Sequence, residues 1–103
     1  KILIKHGRAK EALDELDEGL KMANQNGERV YEPELLRLRA VALHQLAYDS
    51  RIVWETFEMA VELAEQLTLP LLKLRTLNSM LKAAKGDSDK TTSLSNRLDH
   101  HLQ

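Results

Sequence analysis

The chain repeats itself, and the repeat restricts its fold more than any single residue does. Shifted by 41 positions, Leu16 falls on Phe57 and Phe57 on Leu98, while Leu20 falls on Val61 and Leu102, and Ala23 on Ala64. Shifted by 36, Leu35-Leu36-Arg37-Leu38-Arg39 falls on Leu71-Leu72-Lys73-Leu74-Arg75 and matches it in polarity at every position. Periods of this size mark supersecondary units that stack because none can bury its apolar surface alone. The reading is a short all-α solenoid of antiparallel helix pairs, with about five helices. One domain covers residues 1–103, in units of approximately 1–27 (partial), 28–67 and 68–103. A polar linker at Gly86 to Lys90 is assigned the mismatch between the two shifts, since insertions in surface connections cost little.

The local signals agree with helices. Leucine, alanine, glutamate and lysine dominate, and aromatics make up 4%, so helix propensity prevails almost throughout. Ala12, Leu13, Leu16, Leu20 and Ala23 form one stripe of a first helix after Gly7, stopped at Gly27. Glu32-Pro33 opens a second helix, because proline fits a first turn where its missing N–H is not needed. Asp49-Ser50 offers N-caps for a third, with Val53, Trp54, Phe57, Ala60, Val61 and Ala64 on its apolar face. Thr68-Leu69-Pro70 restarts the chain for a fourth, stopped by Gly86. Leu94, Leu98 and Leu102 predict a shorter, more polar last helix.

Composition excludes several classes of function. With a net charge of -1 and lysines and arginines spread among the acids, the chain lacks the basic excess of a nucleic-acid binder. It has no cysteine, hence no disulfide, thiolate metal site or cysteine nucleophile. No apolar run approaches the roughly 20 residues of a membrane span. A cytoplasmic location is the default expectation. The chain opens inside an apolar pattern at Lys1-Ile2-Leu3-Ile4-Lys5, with no cap before it, which reads as the interior of a longer protein. The turn at Lys1 to His6 would be the remnant of a leading helix, leaving apolar surface near Ala9, Leu13 and Leu20 partly uncovered and ready for association.

Gly7-Arg8-Ala9-Lys10-Glu11-Ala12-Leu13-Asp14-Glu15 resembles the second helix of a tetratricopeptide repeat. The succession Gly27-Glu28-Arg29-Val30-Tyr31-Glu32-Pro33-Glu34-Leu35-Leu36-Arg37-Leu38-Arg39-Ala40, then Phe57 to Ala64, then Leu71 to Arg75, is similar to the helical C-terminal regions of large bacterial regulators. That group includes ATPase-coupled transcriptional activators and some nucleotide cyclases. The resemblance covers residues 7–85; it departs from the family at Ala40, where glycine is usual, and at Tyr48 to Val53. It implies a regulatory module attached to a nucleotide switch and an output domain outside this segment.

No residue pattern calls for catalysis, a cofactor or a metal. His100-His101 would point about 100° apart on a helix and make poor joint ligands. His6 stands alone, and His44 lies in a leucine-rich helix without a nucleophile or carboxylate partner. Asp87-Ser88-Asp89 lacks the downstream glycine and glutamate of a calcium loop and reads as a solvated linker. Trp54 and Phe57 read as anchors of the junction between successive pairs.

The expected activity is therefore non-catalytic protein binding in a regulatory protein. The first helix of each pair would line a groove, with Arg37, Val41, His44 and Gln45 on one and Lys73, Leu77, Met80 and Leu81 on the next. An acidic and apolar peptide or helix suits such a surface, with Arg37 and Lys73 as charge contacts and Met80 as an adaptable apolar one. The partner is another protein or another part of the parent chain. Two alternatives stand beside this reading. One is a structural segment that self-associates as a homodimer, and the other makes Arg37, Arg39, Lys73 and Arg75 plain interhelix ion pairs.

Overall fold

The computed structural model describes residues 8–27 and 29–102, the side chains of residues 101 and 102 excepted. The Lys1 to His6 turn, Gly7, Glu28, and the side chains of His101 and Leu102 lie outside the described residues. Five α-helices follow one another: α1 (Ala9–Gln25), α2 (Glu32–Gln45), α3 (Ser50–Gln66), α4 (Pro70–Ala83) and α5 (Ser88–Leu102). A 3-10 turn at Arg29–Tyr31 leads into α2. Among the described residues there is no strand, and no helix is long and apolar enough to cross a membrane.

The helix boundaries follow from identifiable residues. Pro33 lies in the first turn of α2 and Pro70 opens α4, where a missing N–H leaves nothing unpaired. The Asp49 carboxylate accepts from the Arg51 N–H at 2.9 Å and caps α3. At the end of α2, Tyr48 N–H donates to Leu43 C=O and Ala47 N–H to His44 C=O. At the end of α3, Leu69 N–H donates to Ala64 C=O and Thr68 N–H to Glu65 C=O. Both are Schellman closures, which require a left-handed residue just past the helix. Ala47 (φ 58) and Thr68 (φ 55) take that role although neither is glycine.

Successive helices pack against each other, and α2 also packs against α4. Gly19 of α1 faces Leu35 of α2, where a Cβ would meet Leu35 Cδ1 at 3.6 Å, while Asp17 faces Arg39 at 3.0 Å. As residue numbers fall along α1 they rise along α2, so the two run antiparallel. Phe57, fully buried at 0% exposure, belongs to a single core with Leu13, Leu43, Val61, Leu77, Met80 and Leu94. Burying such a ring stabilises the fold by roughly 1.5–3 kcal/mol. Trp54 meets Phe57 edge-on, centroids 5.5 Å apart, and Lys90 of α5 lies over the Trp54 ring at 4.7 Å. Thr56 and Thr76, buried on α3 and α4, hydrogen-bond back to Ile52 C=O and Leu72 C=O, which satisfies their hydroxyls within the helix.

The 41-residue repeat is visible as burial: Ala12, Val53 and Leu94 are all buried, as are Leu16 and Phe57, with Leu98 packed against the same core. The 36-residue match fares differently. The buried residues of α2 and α4 correspond at 37, pairing Ala40 with Leu77 and Leu43 with Met80. One residue of slip turns a helix face by about 100°.

Two other expectations need correction. Asp87 is a helix cap, accepting from the Lys90 N–H at 3.1 Å, so Ser88, Asp89 and Lys90 form the first turn of α5 instead of a solvated linker. The four-residue difference between repeats of 41 and 37 becomes about one extra helical turn, which keeps the stripe in phase. With that turn included, α5 has 15 residues, shorter than its repeat counterparts α1 and α3 at 17 but longer than α2 and α4 at 14. Finally, Ala9 and Leu13 are buried, not partly uncovered, leaving Leu20 half-buried.

Candidate functional site

α2 and α4 lie side by side, and the turns that follow them come together at one end of the molecule. A cleft of about 270 Å³ runs between the two helices; Arg37, Val41, His44 and Gln45 line it from α2, Ser79, Lys82 and Ala83 from α4, and Phe57 of α3 contributes at its base. The four residues expected on α2 are thus brought together. Val41 packs partly against the core, while His44 is exposed.

The four expected on α4 are not. Leu77 is 0% and Met80 2% exposed, so both are core and neither reaches a partner. Leu81 is half-buried and packed against the same core. Lys73 lies off the cleft, its Nζ 2.9 Å from Glu65 Oε2 of α3. The cause is the one-residue slip described above. At 36, Val41 and His44 lead to Leu77 and Met80; at 37, Val41 and Gln45 lead to Asn78 and Lys82. Asn78 and Lys82, with Leu74, Arg75, Ser79 and Arg37, line a shallow depression continuing from the cleft.

Arg37 sits at the centre of an ion-pair network. Its Nε and Nη2 donate to the two carboxylate oxygens of Glu34 at 2.9 and 2.8 Å, and its Nη1 donates to Ser79 Oγ at 2.9 Å. Arg75 Nη1 reaches the same carboxylate at 3.3 Å. Burial pushes the Glu34 carboxyl up, but the hydrogen bonds and charges of Arg37 and Arg75 outweigh it and hold the group below the usual carboxylate range. Arg39 pairs with Asp17 of α1. Arg39, Lys73 and Arg75 therefore make interhelix ion pairs, whereas Arg37 pairs with Glu34 within α2 and ties α2 to α4 through a hydrogen bond to Ser79.

The cleft opens into a second hollow of about 550 Å³ where the helices end. His44 and Ala83 line both. Val53 and Ala84, each 3% exposed, belong to the core beneath it. Tyr48, Trp54, Lys85 and Lys90 are further lining residues. Sequence reasoning missed this hollow because its walls come from the turns, whose contribution no periodicity reveals. No family model, curated protein or solved structure matches the chain.

Proposed function

We propose that the chain is a non-catalytic protein-binding module, built as a tetratricopeptide-like stack of helix pairs, that takes a partner's peptide or helix in the groove between α2 and α4. The observation that carries this reading is the pairing of α2 with α4 across a cleft that has an apolar floor at Phe57 and Ala83 and polar side chains at its rim. Such a trough suits a helix or extended segment laid along it, with apolar anchors below and adaptable contacts above. The alternation of helix lengths, 17, 14, 17 and 14 residues from α1 to α4, supports two turns of one repeating unit. The sequence resemblance suggests the setting, a bacterial regulatory protein acting in transcription or signalling in the cytoplasm.

A second reading, self-association, has its own support. Leu71 is 76% exposed in the first turn of α4, beside Leu74 and Arg75, and could seat against another copy.

Nitrogen-edited NMR of the labelled chain, titrated with a panel of amphipathic helical peptides, tests the groove. Shifts confined to His44, Gln45, Ser79, Lys82 and their neighbours are expected. Shifts confined to the outer face of α3 or to α1, or none with any peptide, would remove the groove. Light scattering over a concentration series tests the second reading, with a dimer that Leu71→Asp dissolves as its expected signature.

A further inference from the structure

The cations of the chain divide into two groups. From Arg29 to Arg97, seven of the ten arginines and lysines hold a carboxylate: Arg29, Arg37, Arg39, Arg51, Lys73, Arg75 and Arg97. Within that stretch the exceptions are Lys82, Lys85 and Lys90; Arg8, Lys10 and Lys21 on the α1 side of the molecule make no carboxylate pair either. Lys82, Lys85 and Lys90 all line the connected cleft and hollow at the end of α2 and α4. Lys90 is turned onto the Trp54 ring, and Lys82 and Lys85 are exposed.

The carboxylates are distributed the opposite way. Glu55, Glu58 and Glu62 line a depression on the outer side of α3, which Arg51 and, at the edge it shares with the hollow, Lys90 also line. No carboxylate lines the cleft between α2 and α4, and Asp87 is the one that lines the hollow. Asp87 is already engaged by the Lys90 N–H. An exposed lysine on a chain of net charge -1 has many acids within reach in principle. Three lysines without one, gathered on a single trough that holds no unengaged carboxylate, make that trough locally positive.

We infer that the groove selects an acidic segment of another protein, whose carboxylates meet Lys82 and Lys85 while a bulky apolar side chain enters the hollow between Tyr48 and Trp54. The inference rests on the groove reading above and names the chemistry of its partner. It also moves the charge contacts from Arg37 and Lys73, which are occupied, to lysines that the repeat did not nominate. The hollow is open and continuous with the cleft, which suits a length of chain more than an enclosed small molecule. Lysines placed at a rim act as point charges on flexible stems, favouring acidity in the partner without fixing one geometry.

Trp54 is the sole tryptophan, so its fluorescence reports on the hollow directly. The test uses three short synthetic amphipathic peptides with a central phenylalanine, identical except that their charged positions carry glutamate, glutamine or lysine. The glutamate peptide is expected to shift the Trp54 emission and bind about tenfold more tightly than the glutamine peptide at low salt. That advantage should vanish in the double variant Lys82→Glu, Lys85→Glu and persist in Arg51→Gln, with circular dichroism confirming equal helicity. Equal binding of the glutamate and glutamine peptides, with NMR shifts in the groove, would overturn the acidic preference and leave the groove reading intact. Glutamate-peptide binding that the double variant does not weaken would also overturn it. Failure of all three peptides to bind would remove both readings.

Discussion

α2 and α4 have the same length, both carry proline in the first turn, and share the Leu-Leu-basic-Leu-Arg run, yet they occupy their surroundings differently. α2 is enclosed by α1, α3 and α4, and Leu35, Leu36 and Leu38 are all half-buried. α4 leaves Leu71 out in solvent and buries its second half through Thr76, Leu77 and Met80. Arg37 is held by three hydrogen bonds to two partners, Glu34 and Ser79, whereas Lys73 makes one exposed ion pair. Matching side-chain classes are therefore no guarantee of matching faces. A helix with leucines on several sides can be rotated by one residue and still bury apolar surface.

The strongest challenge to that comparison is Leu77→Ala against Leu71→Ala. Leu77 should lose roughly 2–5 kcal/mol in denaturant unfolding, as buried leucine truncations do, and Leu71 should lose almost nothing. Comparable losses would show that the leucines of α4 face the way the 36-residue match implies. Next in size is Arg37→Ala, which leaves a part-buried Glu34 with Arg75 alone and Ser79 without its donor, and is expected to cost about 1–2 kcal/mol. Lys73→Ala, with Glu65 half-exposed, should cost under about 0.5 kcal/mol. Equal effects would erase the distinction between network and surface pair.

Acid sharpens the same point with a smaller effect. Because the folded state holds the Glu34 carboxyl below its ordinary value, its contribution is complete above the usual carboxylate range. It is lost as pH falls through that range toward the depressed folded value. Glu34→Gln should flatten this part of the stability profile; a profile indifferent to it would break the network assignment. The smallest effect is Gly19→Ala. Its new Cβ makes ordinary contact with Leu35, so the helix should gain about 0.5–1 kcal/mol from the added helix propensity, seen as a raised midpoint in thermal unfolding.

Helix number, order and most boundaries were legible in the sequence, because Pro33, Asp49, Pro70 and Gly27 act locally. The 41-residue stripe was legible because one-sided patterns such as Ala12, Leu16 and Ala23 admit a single burial. The register of α4 was not, since Leu71, Leu72, Leu74, Leu77 and Leu81 spread around the helix and only contact with α2 and α3 chooses among them. The cap at Asp87 was hidden by the polarity of its neighbours, Ser88 and Asp89, which suit a solvated linker as well as a first turn. Half of the candidate site followed from α2. The remainder depended on turns meeting across the fold, through Tyr48 and Trp54 on one side and Lys85 and Lys90 on the other.

The left-handed turns at Ala47 and Thr68 bear on the order in which the chain folds. A residue with a Cβ resists that conformation by about 1–2 kcal/mol, so neither turn closes readily on a short stretch of isolated chain. Gly27 and Gly86, at φ 72 and 98 with open space around them, face no such barrier. The hairpins on either side of α3 must then be drawn shut by the docking of their helices, with the turn as the last part to settle. Ala47→Gly, which relieves a turn that settles late, should therefore slow unfolding more than it speeds refolding.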